Sequence, residues 1–383
     1  MTQMSRFRVV AVAIVILAFA FTTVSADFAV KIFDARGKQR DIESVVADIS
    51  AARAVFIGEN HDRYDQHLSE LEIIRRLYER DPNRWTIGVE FIQRPFQADL
   101  DAYINGSINE REFLKRTEYF DRWGWDFRLY RPIFRFAQEH AIPMVALNAE
   151  RELTEKVGKV GLEGLNGPER ERLPGQMDKS DQNYRKRIQK VFKEHPQATG
   201  GNFERFWEAQ LVWDETMAES VTKYLSAHPD KAMVIVAGSG HVEFGSGIPN
   251  RVRRRMPQLR TAVLLTTDKP QTKTNLTDYS LVSKQEVLPS AATMGIVTEV
   301  RDGVRVKEAT PGGPAAETGI QPQDRIVAID DGQIKSLGDV RFALLDRKPG
   351  DRIAVRVERT GAAGTEELVL SLTLQKNQPG RQR

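Results

Sequence analysis

Two histidines, each three residues after a glycine, stand out as side chains able to do chemistry. In AVFIGENHDRYDQH an apolar run ends at Ile57, Gly58 permits a tight turn, and Glu59, His61 and His67 follow on the way into a helix. MVIVAGSGHVEFG repeats the grammar, with His241 after Gly238-Ser239-Gly240 and Glu243 close behind. A third run, Gly88-Val89-Glu90-Phe91, carries a carboxylate. If these runs are parallel strands, His61, Glu90 and His241 meet beyond their carboxyl ends, where such sheets gather functional groups. Two imidazoles and a carboxylate suit a divalent metal ion or general acid–base work. One GxxH alone is weak, because a histidine after a strand is more often a hydrogen-bonded loop residue; the second copy and the Glu90 run carry the expectation.

The elements that must position these groups are legible. Ala54 to Ile57, Thr86 to Val89, Met144 to Leu147 and Met233 to Ala237 read as strands alternating with helical patterns. That order predicts an α/β fold, a mostly parallel sheet flanked by helices. From Gly161 to Trp213 the strand signal gives way to a charged helical excursion broken by Pro174, Gly175, Pro196, Gly200 and Gly201. A polar stretch rich in Thr and Ser then reads as a linker. Beyond it lies a small strand-rich module with one clear helix, Leu337 to Leu345. The expected division is a leader at 1–26, an α/β domain at 27–265, a linker at 266–291, a small β-rich domain at 292–376 and a tail at 377–383.

The leader is read from Arg6 and Arg8 before the apolar run Val9 to Phe21, with Val24-Ser25-Ala26 offering cleavage before Asp27. Its thirteen apolar residues fall short of the roughly 20 that span a bilayer, so export to the periplasm is expected, with membrane association if the leader stays attached. The chain has no cysteine, which excludes disulfides, thiolate metal sites and thioether-linked haem. A formal net charge of +3, two units of it in the leader, argues against nucleic acid as the partner. A homodimer is left open.

Taken together, GENHD at Gly58 to Asp62, GVEF at Gly88 to Phe91, FERFWEAQLVWDETMA at Phe203 to Ala218 and AGSGHVEFGSGIPNRV at Ala237 to Val252 resemble the ChaN haem-binding family of the Tiki superfamily over roughly residues 30–265. The resemblance implies non-covalent haem and a part in iron handling. Other branches are metal-dependent proteases or esterases built on the same GxxH and Glu positions, so it also implies an alternative: a hydrolase or peptidase with a divalent metal ion. His61, Glu90 and His241 match those positions, with Glu59 and Glu243 beside them. Non-covalent haem needs an axial donor, apolar walls and cations for its propionates. The excursion offers Tyr184 and His195 as donors, Phe206 and Trp207 with Phe192 and Phe203 as walls, and Arg205 with Arg185 and Arg187 as cations. Each has a plainer reading: the aromatics fall at helical spacing and pack a core, and Tyr184 sits on a charged helix. Arg251, Arg253, Arg254 and Arg255 read as a solvated helix face.

Met294-Gly295-Ile296-Val297, the PGGPAAETG turn and SLGDVRFAL resemble a bacterial PDZ domain. The resemblance implies capture of a C-terminal peptide, here of an envelope protein. The peptide would add beside the strand after Gly295, with the backbone of Met294, Gly295, Ile296 and Val297 near its carboxylate and Val340 and Leu344 facing its last side chain. Ser336 and Asp339 have capping-box spacing for that helix. An exposed linker between complete cores predicts two domains that fold and bind independently.

Overall fold

The computed structural model describes residues 30–194, 198–272, 275–362 and 364–376; the expected leader, His195 and the tail from 377 lie outside them. Eight strands form the large sheet: β1 (Val30–Asp34), β2 (Gln39–Arg40), β3 (Ala54–Glu59), β4 (Trp85–Gln93), β5 (Met144–Asn148), β6 (Ala232–Gly238), β7 (Thr261–Thr266) and β8 (Tyr279–Ser283). Their order is β2-β1-β8-β7-β3-β6-β4-β5. β1 runs antiparallel to β2 and β8, and the remaining pairs are parallel. The central strands are apolar without interruption because both faces are covered. Val55 and Ile57 join one buried cluster with Ile87 and Val89, whereas Ala54 and Phe56 join the opposite one with Met233 and Ile235. Helices Ile42–Ile49, Tyr64–Arg80 and Arg131–Glu139, with the aromatic segment 119–130, cover the first face. Phe203–Ala227 and Ile248–Arg255 cover the second.

Residues 292–376 hold a separate antiparallel sheet in the order Ile296–Val300, Val304–Ala309, Arg325–Ile329, Arg352–Gly361, Gly364–Thr373, with helices Pro314–Glu317 and Leu337–Leu344. Its own cluster includes Met294, Val306, Ile326, Val340 and Val355. The capping box forms: Asp339 N–H donates to Ser336 Oγ at 3.1 Å and Ser336 N–H to Asp339 Oδ2 at 3.0 Å.

Two expectations need correction. The stretch 266–291 is not all spacer, for β8 lies inside it, hydrogen-bonded between β7 and β1 with Ser280 and Leu281 buried. Its polar residues mask a strand whose hydroxyls find partners on the helices of one face, Ser283 Oγ donating to Asp65 Oδ2 at 2.9 Å and Tyr279 OH to Asp48 Oδ2 at 2.6 Å. Nor does the expected exposed linker keep the two cores out of contact: Leu345 belongs to the buried cluster of the large domain, and Phe342 packs against it.

Candidate functional site

Because β3, β4 and β6 are parallel neighbours, their carboxyl ends bring Glu59, Glu90 and Gly238 together, and the turns after β3 and β6 bring His61 and His241. The two histidines are held alike. His61 Nδ1 lies 2.5 Å from Glu59 Oε1, and His241 Nδ1 lies 2.5 Å from Asp214 Oδ1. Glu90 sits between them, Oε2 accepting Gly238 N–H at 2.7 Å and Oε1 lying 3.4 Å from His241 Nε2. Gly238 is required by close approach: a Cβ there would lie 2.8 Å from His61 Cε1 and 3.6 Å from Glu90 Oε2. Trp123 and Trp125 wall His61 at ring distances of 4.8 and 5.7 Å, and Trp213 stands 6.5 Å from His241.

The electrostatics follow from this pairing. Burial opposes charging His241, but the negative charges of Glu90 and Asp214 outweigh it and lift its pKa to about 9. Asp214, though buried, is pulled down by His241 and by Arg251. His61 is raised against its burial by the hydrogen bond to Glu59 and the charge of Glu90, and burial raises Glu59 itself. Behind them His67 lies buried with Nδ1 3.2 Å from Glu70, whose pKa burial pushes well above the carboxylate range.

The other residues named from sequence fall elsewhere. Glu243 turns to Arg187 at 3.1 Å, and Arg187 is further tied to Gly240 O, so this pair fastens the excursion to the turn. Tyr184 is 1 % exposed; its hydroxyl donates to Asp214, and Arg251 lies 4.4 Å over its ring. A buried phenol donating to a buried carboxylate offers no open donor to a ligand, so Tyr184 positions Asp214. Trp207 is equally buried, packed on Tyr184 at 5.1 Å. Arg251 is not on a solvated face: it is 2 % exposed, its Nε 3.2 Å from Glu215. His195 lies outside the described residues. Among the described residues no cluster of three His, Asp or Glu side chains is arranged to hold a metal ion.

Arg205 and Phe206 do converge on a cavity. It measures about 590 Å³ between helices Arg151–Val160 and Phe203–Ala227, with Phe206, Ala209 and Trp213 as walls and Arg151, Lys159 and Arg205 as cations. It fits the flat apolar body and anionic edge of haem, while its lining residues include no His, Tyr or Met to ligate iron. Sequence reading missed Arg151, Lys159 and Trp213. The signal was present, since Arg151, Thr154, Glu155, Gly158 and Lys159 share one helix face and its glycine leaves room. In the small domain, Ile296–Val300 is the outer strand, with Val297 41 % exposed. Met294 and Val340 point into the core instead, and Gly295 N–H donates to Thr293 Oγ1 at 3.1 Å.

An α/β sheet with this paired strand-end site, followed by a small β-rich domain, defines the class. The family model for haem-binding uptake proteins of the ChaN type, Tiki superfamily, matches residues 45–252, and the PDZ model matches 292–370. The chain belongs to the ChaN haem-binding family of the Tiki superfamily and carries a PDZ domain. Among solved structures, ChaN of Campylobacter jejuni, described with cofacially bound haem, shares 18 % identity at a TM-score of 0.52 over 67 % of this chain and 97 % of that one. A serine endoprotease from Yersinia pestis matches at 26 % identity and TM-score 0.21 over 23 % of this chain and 30 % of that one. The peptide-bound PDZ domain of a carboxy-terminal protease from Vibrio cholerae matches at 21 % identity and TM-score 0.20, over 23 % of this chain and 98 % of that one. No curated protein matches.

Proposed function

We propose that this is an exported haem-binding protein of periplasmic iron handling, docked to an envelope protein whose C-terminal peptide enters the PDZ groove. The observation that carries the reading is the apolar cavity of about 590 Å³ with a cationic rim, in a member of a haem-binding family. Haem, when bound, supplies an iron centre that needs an axial donor. Phe206 and Trp213 would pack against the macrocycle, and Arg151, Lys159 and Arg205 would pair with its carboxylates. With Tyr184 sealed, His195 is the donor that the sequence of the excursion still offers, and it is the proposed ligand. Titrating the mature protein with haem and following the Soret band tests this. His195→Ala should shift the band and weaken binding, while Tyr184→Phe should leave both unchanged. No saturable Soret change in the parent would remove the haem reading, and an unshifted His195→Ala would remove the donor assignment.

The two carboxylate-backed imidazoles favour a second reading, a hydrolase or peptidase to which the PDZ domain presents substrate. His241, charged at neutral pH, is placed to donate a proton, and Glu90, 3.4 Å from its Nε2, is placed to accept one. Peptide cleavage lost in both His61→Ala and His241→Ala would support it; cleavage surviving both substitutions would end it.

A further inference from the structure

The helix Leu337–Leu344, expected to wall the peptide groove, has a second face docked on the large domain. Asp121 reaches its first turn, Oδ2 accepting from Ser336 Oγ at 2.8 Å and Oδ1 from Gly338 N–H at 2.9 Å. Gly338 makes that approach feasible, because a Cβ there would fall 2.3 Å from Asp121 Oδ2. One turn on, Arg341 donates to Gly124 O at 2.7 Å and to Phe120 O at 3.3 Å. Farther along, Asp346 pairs with Arg131 at 2.7 Å, and Arg111 lies 4.3 Å over the Phe342 ring.

What the latch grips is the segment that carries the walls of the site. Trp123 and Trp125, which flank His61, sit on either side of Gly124, whose carbonyl Arg341 holds. The same segment reaches the cavity, for Asp121 O accepts from Arg151 of its rim. A short loop with a left-handed glycine at φ +83 in its middle has no strand or long helix to stiffen it.

We infer that Gly338, Arg341 and the rest of the docked PDZ helix are positioning residues for the large domain's ligand site, holding Trp123, Trp125 and Arg151 in place. Removing the latch then loosens the site without touching a residue that lines it. The part concerning haem rests on the haem reading; the part concerning the 119–125 segment does not.

Hydrogen exchange and haem titration on the full chain test this with Gly338→Ala and Arg341→Ala. Alanine is the better helix former, so Gly338→Ala opposes docking while favouring the helix itself. Both variants should keep the parental unfolding midpoint, exchange faster at residues 119–125 and 58–61, and bind haem at least about fivefold more weakly, the lower end of usual coupling between sites. Parental exchange at both segments in both variants would overturn the inference. Faster exchange with unchanged haem affinity would overturn its haem part. If the parent takes up no haem, the haem reading fails by itself, and local exchange still decides whether the latch positions the indoles.

Discussion

At the residue scale the molecule invests in two imidazoles held by buried carboxylates. Asp214 holds His241, and Tyr184 and Arg251 hold Asp214 in turn, so three side chains fix one ring. This has a pH signature. The folded pKa of His241, about 9, stands above the value of about 6.5 for an exposed histidine, so its contribution is complete below about 6.5 and lost as pH rises through about 9. Urea titrations should show the parent losing on the order of 2 kcal/mol relative to His241→Gln between those limits. Equal slopes in parent and variant would refute the pairing. His61, Glu90 and His241 were legible in sequence because each follows an apolar run, and parallel pairing brings run ends together. Asp214 stands in the sequence only within the Phe203 to Ala218 motif, and nothing local marks it as a partner of His241, since the groups it binds lie 30 residues upstream and 27 downstream. Tyr184 shows the limit of local reading: a tyrosine among charges looks exposed, and only tertiary packing of Arg251 over its ring shows otherwise.

At the element scale, continuous apolar runs announced β3 to β6, but β1, β2, β7 and β8 escaped. β8 pairs on both sides while burying few large side chains, and its Ser280 is silent to any hydrophobic pattern. Its importance is testable by where the chain is cut. Ending at Thr266 removes β8, leaves β1 without its neighbour and bares the edge of β7, an invitation to aggregate. That fragment should be insoluble or melt well below one ending at 288, which keeps all eight strands. Equal solubility and melting would show β8 to be dispensable. The PDZ helix was readable from Ser336 and Asp339 because a capping box is local, whereas its docking face needed Asp121, 217 residues before Gly338.

At the scale of the whole molecule, the large domain joins a polar strand-end cluster to an apolar, cation-rimmed cavity through Trp213, and the PDZ domain docks on the loop between them. The outer edge of Ile296–Val300 stays unpaired among the described residues, available to an incoming strand while the helix beside it is latched. The central claim is that haem occupies the cavity, and filling the cavity tests it most directly. Ala209 is 5 % exposed on its wall, on the helix face opposite Arg151 and Lys159. An indole placed there takes up the space a porphyrin needs without altering a strand-end residue. The measurement is haem titration of the parent and of Ala209→Trp, each first shown by calorimetry to unfold cooperatively. The account predicts saturable binding by the parent and at least a tenfold loss in the variant. Undiminished binding in a folded Ala209→Trp would contradict it.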